Sequence, residues 1–181
     1  MPRSTPALHA LGLAAVASLA TGCLVIGANE EEPTMNDERR VAAEAAHRIA
    51  IEGLLNAWHE AASEADGERY FGSMTDDAVF LGTDATERWS VAEFRDYAGP
   101  HFAAGTGWPY TPVERHVIFG PALETAWFDE RLWNEKYGEC RGTGALRTVD
   151  GHWKIAHYSL TFPIPNEMAA EFTQRIRELD G

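Results

Sequence analysis

The fold is decided by residues 125–162, TAWFDERLWNEKYGECRGTGALRTVDGHWKIAHYSLTF, which contain three strand-like runs. These runs are 125–133, 139–148 and 153–162, and a fourth, 113–119, precedes them. Two short turns, Tyr137-Gly138 and Asp150-Gly151, separate the last three runs and are short enough for β-hairpins. The sequence therefore predicts an antiparallel meander of four strands.

Helical patterns stand on both sides of this meander. One long amphipathic helix is predicted over residues 37–65, because its apolar residues recur at helical spacing. They are Ile51, Leu54, Leu55, Trp58 and Ala62. A short helix at 68–74, strands at 78–81 and 87–89, and a helix from Ser90 to Gly99-Pro100 follow. After the meander, Asn166 begins a C-terminal helix with one apolar stripe. Helices followed by a meander give an α+β fold class.

The last predicted strand carries apolar side chains on both of its faces. Strict alternation puts Trp153, Ile155 and His157 on one face, and Tyr158 and Leu160 on the other. Helices cover one face, so the second apolar face needs its own cover. That cover is either the C-terminal helix folded back or a second copy of the chain. We favour the second copy and predict a homodimer through the outer sheet face.

Residues 1–22 are predicted to be a signal peptide. Their apolar run, Leu8–Ala20, is shorter than the roughly 20 residues of a membrane-spanning helix. It leads into Leu19-Ala-Thr-Gly-Cys23, which resembles the lipobox of bacterial lipoproteins. The resemblance implies an exported protein held at the bacterial cell envelope by a lipid on Cys23, with residues 23–36 as anchor and tether. A plain secretory signal with an incidental cysteine is the alternative.

The charge of the chain excludes a general nucleic-acid binder. Its 28 acidic residues outnumber 15 Lys and Arg, which gives a formal net charge of -13. Proteins that bind the phosphate backbone neutralise it with clustered basic side chains. We therefore expect no nucleic-acid partner and a membrane contact through the lipid anchor only. If Cys23 carries the lipid, Cys140 is the remaining cysteine and no internal disulfide is expected.

Five short segments, taken in order, resemble the SnoaL-like branch of the nuclear-transport-factor-2-like superfamily. They are Thr75–Asp84, Glu87–Ser90, Ala126–Glu130, Arg141–Gly144 and Asp150–His157. The resemblance implies a cone-shaped, curved antiparallel sheet wrapped around the N-terminal helices over residues 37–165, with a C-terminal helix over 166–181. It also implies a pocket inside the cone and dimerisation. Members include isomerases, cyclases, dehydratases and non-catalytic binding domains, so the fold does not choose the function.

The ketosteroid isomerases of this superfamily allow a comparison residue by residue. Counted from the segment Asp76–Ala78, the position of their general base is Gly82 in this chain. The position of their oxyanion-stabilising tyrosine falls at Trp58, which has an indole N–H but no phenol. The range Cys140–Val149 contains no carboxylate to act as the second donor. Steroid-isomerase chemistry is therefore excluded.

Our first functional hypothesis is a domain that binds a small, partly apolar molecule in the cone without catalysis. The candidate ligand-binding residues are Trp58, Trp127, Arg141 and Ser159. Trp58 and Trp127 supply aromatic surface, Arg141 a bidentate donor and Ser159 a hydroxyl. A filled cone with a purely structural role is a further alternative.

The second hypothesis is a cofactor-independent dehydratase, cyclase or lyase that uses a His–carboxylate acid/base pair. His157 is the candidate histidine, and Asp84 or Asp129 the candidate carboxylate. Strand alternation places only one of Asp129 and Glu130 inside the cone. His152 and His157 are five residues apart on one strand and so point to opposite faces. We predict no metal and no cofactor.

Overall fold

The computed structural model describes residues 35–179. The predicted signal peptide and residues 23–34 of the predicted tether lie outside this range. The N-terminal helices are α1 (Met35–Ser63) and α2 (Gly67–Gly72), and β1 (Met74–Leu81), β2 (Arg88–Ser90) and α3 (Val91–Ala103) follow. The remaining strands are β3 (Thr111–Phe119), β4 (Thr125–Asn134), β5 (Gly138–Val149) and β6 (His152–Thr161). A 3-10 turn, Asn166–Met168, leads into α4 (Ala169–Leu179). The predicted α+β order of elements is confirmed.

The six strands form one mixed sheet in the order β2-β1-β6-β5-β4-β3. Strands β3 to β6 are successive antiparallel neighbours, which confirms the predicted meander. Strand β1 instead pairs in parallel with β6. Parallel pairing needs a long connection, and here α3 and the first three strands of the meander supply it. The sheet is therefore mixed rather than wholly antiparallel.

The core lies between α1 and one face of this sheet. Ile51, Leu55 and Trp58 of α1 are almost completely buried, as their helical spacing predicts. They belong to one apolar cluster with Leu132 of β4 and Ile155 of β6. Helix α1 thus fills part of the concave side of the sheet and presents its last turns to the remaining space.

A β-bulge at Ala156 interrupts the pairing of β6 with β5. Ala145 pairs with His157, whereas the next residue of β5, Leu146, pairs with Ile155. One step along β5 therefore corresponds to two along β6, and Ala156 is the extra residue. A bulge of this kind reverses the alternation of side chains beyond it.

The bulge changes which residues of β6 face the core. Trp153 is buried before the bulge, and Tyr158 and Leu160 are buried after it. His157 and Ser159 alternate with these two residues and lie on the opposite face. Three expectations were therefore wrong: that His157 shares a face with Trp153, that it points to the face opposite His152, and that Leu160 lies on the outer face. Strict alternation cannot anticipate an inserted residue.

Helix α3 begins where the sequence predicts and ends later than predicted. Ser90 caps α3 through a capping box with Glu93, as its position predicts. The helix then continues through Pro100 to Ala103, so its predicted end at Gly99-Pro100 was wrong. Pro100 cannot donate the intrahelical hydrogen bond to Asp96 O, and the helix continues for only three residues beyond it.

Helix α4 does not cover the sheet of its own chain. Its main contacts are with the preceding 3-10 turn. The apolar side chains of this segment are exposed: Met168, Phe172, Ile176 and Leu179. No helix among residues 35–179 is both long enough and apolar enough to cross a membrane.

Candidate functional site

A cavity of about 160 Å³ lies between the helices and the buried face of the sheet. Its volume is close to that of the engineered cavity of about 150 Å³ that holds benzene. Eleven of its seventeen lining residues are Phe, Tyr or Trp, and none is Lys or Arg. His59, Thr83 and Glu87 are the lining residues with polar groups outside the aromatic set. The cavity therefore suits a small and largely apolar molecule.

Ring contacts hold the aromatic wall in place. Trp58 stacks on Tyr70 with ring centroids 4.8 Å apart, and meets Tyr158 edge-on at 4.6 Å. Across the cavity, Phe80 stacks on Phe94 at 4.0 Å. Such contacts stabilise one orientation of each ring, so the shape of the cavity is largely preformed.

The buried carboxylate of Glu130 lies at the α1 side of this cavity. Strand β4 alternates strictly, which buries Glu130 and exposes Asp129. His59 Nε2 lies 2.7 Å from Glu130 Oε1, and the Tyr158 hydroxyl donates to the same oxygen at 3.1 Å. Arg115 Nε donates to Glu130 Oε2 at 2.8 Å. Three donors on three different elements thus converge on one carboxylate.

These contacts determine the protonation states of Glu130 and Tyr158. Burial alone would raise the pKa of Glu130, but the hydrogen bond from His59 and the charge of Arg115 hold that pKa below its ordinary value. Burial, and then the nearby Glu130, raise the pKa of Tyr158 well above its ordinary value. At neutral pH Glu130 is therefore an anion and Tyr158 a phenol. Because Glu130 only accepts, His59 carries a hydrogen on Nε2.

The network extends from the cavity to the surface of α1. Arg115 Nη1 donates to Glu52 Oε2 at 2.6 Å and to Asn56 Oδ1 at 3.0 Å. The Arg115 side chain is only 4% exposed, whereas that of Glu52 is 38% exposed. Arg115 thus compensates the buried charge of Glu130 and is itself balanced by a carboxylate that reaches solvent.

Two glycines of β5 make room for the site. A Cβ atom at Gly142 would overlap the Tyr158 hydroxyl and come within 2.9 Å of Glu130 Oε1. A Cβ atom at Gly144 would come within 2.6 Å of the Phe128 ring. These contacts make Gly142-Thr-Gly144 a close-packing segment of β5.

The structure places one of the four predicted ligand-binding residues at the cavity. Trp58 is part of its lining. Trp127 lies on the outer face of β4, where it is 49% exposed. Arg141 and Ser159 alternate with cavity-facing residues on β5 and β6 and lie on the same outer face.

The residues of the predicted acid/base pair are not brought together. His157 faces outward because of the bulge, and Asp129 faces outward because of the alternation of β4. Asp84 lies in the turn after β1, where it accepts hydrogen bonds from Thr86 N and Oγ1 at 2.8 and 2.6 Å. Those bonds lower the pKa of Asp84. Within residues 35–179, no hydrogen bond or ion pair joins His157 to either carboxylate.

The histidine and carboxylate that do meet at the cavity are His59 and Glu130. His59 stands four residues after Leu55, at the edge of the apolar stripe of α1, and this spacing is the signal that sequence reasoning missed. Tyr158 was missed because the bulge of β6 moves it to the buried face. Arg115 shares its strand face with Val117 and Phe119, a signal that sequence reasoning did not use. No group of three or more His, Cys, Asp or Glu that could hold a metal ion occurs in the described part of the chain.

Comparison with known structures supports the fold. An NTF2-like protein of unknown function from Pseudomonas putida is 19% identical, with a TM-score of 0.55 over 69% of this chain and 92% of that one. A candidate aromatic ring hydroxylase from Novosphingobium aromaticivorans is 21% identical, with a TM-score of 0.56 over 67% and 92%. A candidate scytalone dehydratase from the same organism is 10% identical, with a TM-score of 0.58 over 68% and 89%.

Identities this low establish a shared fold and no shared activity. No curated protein matches the sequence. Residues 51–165, which include α2, α3, the whole sheet and every residue that lines the cavity, match the SnoaL-like domain family. The chain therefore belongs to the SnoaL-like domain family.

Proposed function

We propose that this domain binds a small, largely apolar molecule of about one ring in its cone. The observation that carries the proposal is the preformed, aromatic-walled cavity of about 160 Å³. Burial of a ring against its apolar wall is favourable, and its few polar groups are placed to orient one end of the ligand.

Mass spectrometry of what co-purifies with the protein under native conditions tests this proposal. Ala62 lines the cavity from α1, so Ala62→Phe places a ring in the ligand's space. Ala57 is exposed on the same helix, and Ala57→Phe is the matched control. We expect a small molecule to accompany the wild type and Ala57→Phe but not Ala62→Phe. A ligand retained equally by both variants would place binding elsewhere and contradict the proposal.

Acid/base catalysis on the bound molecule is a second candidate function. The observation that favours it is the distance of 2.7 Å between His59 Nε2 and the buried Glu130. Glu130 fixes the tautomer of His59, which leaves Nδ1 as the ring nitrogen free to exchange a proton. His59 also lines a surface groove with Asn56 and Ser63, which gives its ring a second open side. The proposed chemistry is a proton-transfer step of the dehydratase, cyclase or lyase type.

One experiment separates binding from catalysis. The recovered ligand is incubated with the protein in D2O and followed by NMR, with His59→Gln as the variant. Conversion of the ligand, or deuterium incorporation, that His59→Gln slows at least about 100-fold supports general acid/base catalysis. A ligand that stays chemically unchanged with the wild type supports binding alone.

We further propose that the domain is tethered to the bacterial envelope through a lipid on Cys23. The support is the lipobox-like segment that ends at this residue, which lies outside the described residues. Cys23→Ser is expected to move the protein from the membrane fraction to the soluble fraction. Retention of Cys23→Ser in membranes would refute the lipid anchor.

A further inference from the structure

We infer that the ligand is neutral and carries an acceptor oxygen that receives a hydrogen bond from the indole N–H of Trp58. This inference rests on the proposed binding function and specifies the chemistry of the bound molecule. It requires that Trp58 have a hydrogen-bond donor without a partner, that the donors of His59 and Tyr158 beside it be occupied, and that the charges around the cavity disfavour an anion.

Trp58 has the unused donor. The residue is 2% exposed and lines the cavity, and its Nε1 atom is buried with no hydrogen-bond partner among residues 35–179. The stacking of its ring on Tyr70 and its edge contact with Tyr158 prevent the indole from turning toward solvent. A buried donor without a partner is costly, so an acceptor supplied by the ligand is strongly favoured there.

Two donors beside Trp58 are already engaged. His59 Nε2–H and the Tyr158 hydroxyl hydrogen are both directed to Glu130. Glu87 also lines the cavity, and its carboxylate accepts a hydrogen bond from Asp84 N. The indole N–H is therefore a donor at this end of the cavity that a ligand can use without breaking an existing contact.

The charges favour a neutral acceptor over a carboxylate. No Lys or Arg lines the cavity, whereas Glu87 does. Glu130 is an anion directly behind His59 and Tyr158, and Arg115 is already shared between Glu130 and Glu52. An anionic ligand would thus lose its hydration and meet two carboxylates without a free cation. A ketone, ester or ether oxygen meets neither penalty.

Three one-ring probes of similar shape test the inference on the full chain. Acetophenone carries a neutral carbonyl, α-methylstyrene replaces that oxygen with CH2, and benzoate carries a negative charge. Dissociation constants are measured by NMR titration. We expect acetophenone to bind about tenfold more tightly than α-methylstyrene, as one satisfied buried donor implies, and benzoate to bind most weakly.

Trp58→Phe keeps a ring in the wall and removes the N–H. We expect this variant to bind acetophenone and α-methylstyrene with about equal affinity, while the control Trp127→Phe on the outer face keeps the tenfold preference. In the wild type, acetophenone should shift the Trp58 indole proton resonance downfield and α-methylstyrene should not. This second measurement decides the question even if Trp58→Phe does not fold.

Different outcomes contradict the hydrogen bond from Trp58 and the binding of a one-ring ligand in the cavity. Binding of α-methylstyrene as tightly as acetophenone, or a preference that survives Trp58→Phe, overturns the role of the indole and leaves the apolar cavity intact. Tightest binding of benzoate overturns the argument from charge. If none of the three probes binds the wild type, both the one-ring ligand and the hydrogen bond from Trp58 are refuted.

Discussion

At the scale of single residues, the site depends on how Glu130 is compensated. An ionised carboxylate that is 1% exposed is tolerated only because His59, Tyr158 and Arg115 all donate to it. From the sequence, the acidic residue of β4 that faces the inside of the cone is either Asp129 or Glu130, since alternation buries only one of two adjacent residues. It could not choose between them, because that choice depends on which residues of β4 face α1. Packing against a distant helix decides this, and no local pattern records it.

The first prediction concerns the charge of Glu130. Glu130→Gln should lower the free energy of unfolding at pH 7 by about 3 kcal/mol, because Arg115 then stays buried without its main counter-charge. The pKa of Glu130 in the folded chain lies below its ordinary value. Its ionisation therefore stabilises the fold fully above about pH 5, and this contribution is lost as the pH falls through the lowered folded pKa.

Urea titrations at pH 7 and pH 3.5 measure this effect. The difference between wild type and Glu130→Gln should shrink at the lower pH. Glu139→Gln, at an exposed position on β5, is the control and should differ from the wild type by less than about 0.5 kcal/mol at both values. An equal penalty for Glu130→Gln at both pH values would mean that shape rather than charge explains the destabilisation.

At the scale of elements, the bulge of β6 determines which side chains reach the cavity. Apolar residues fall at 153, 155, 158 and 160, a period of two with one extra residue inserted. Under strict alternation this pattern resembles a strand that is apolar on both faces. With the bulge at Ala156 it becomes one continuous buried face. The helices and strands were predictable because their periodicities are local, whereas the bulge is defined only by its pairing with β5.

The second prediction concerns the space that Gly142 of β5 leaves for the buried side chain of Tyr158 on β6. Gly142→Ala should lower the free energy of unfolding by about 2 kcal/mol, because its Cβ overlaps the Tyr158 hydroxyl. Tyr158→Phe removes that hydroxyl, so the double variant should be more stable than the sum of the two single effects by about 1 kcal/mol. Thermal and urea unfolding of the four proteins complete the cycle.

Gly53 provides the control for the cycle at Gly142. It lies on the exposed side of α1 with no atom within 4 Å of a Cβ position. Gly53→Ala should therefore raise the free energy of unfolding by about 0.5–1 kcal/mol. Strict additivity of Gly142→Ala and Tyr158→Phe would show that the two residues do not share the space assigned to them.

At the scale of the whole molecule, the outer face of the sheet carries exposed apolar side chains. Ile118, Trp127, Ala145 and His157 lie in one paired row across β3 to β6, and Val79 continues it on β1. Ile118 is 52% exposed and Trp127 is 49% exposed. An apolar outer face was predicted from the sequence, but the wrong residues of β6 were assigned to it. The side chains of this row form an apolar outer face instead. The homodimer through this face remains our proposal.

The last prediction tests this dimer. Trp127 lies at the centre of the row, so Trp127→Glu places a charge where two copies would pack and should give a monomer in sedimentation velocity. Val41 is an equally apolar but separate site, 67% exposed on α1, and Val41→Glu should keep the mass of the wild type. Both variants are made with Cys23→Ser, so that no lipid drives association. A wild type that already sediments as a monomer, or a Trp127→Glu protein that keeps twice the mass of one chain, would refute the interface. Leu179→Glu, in the exposed stripe of α4, tests whether α4 makes the contact between copies instead. A monomer from that variant alone would assign the contact to α4 rather than to the sheet.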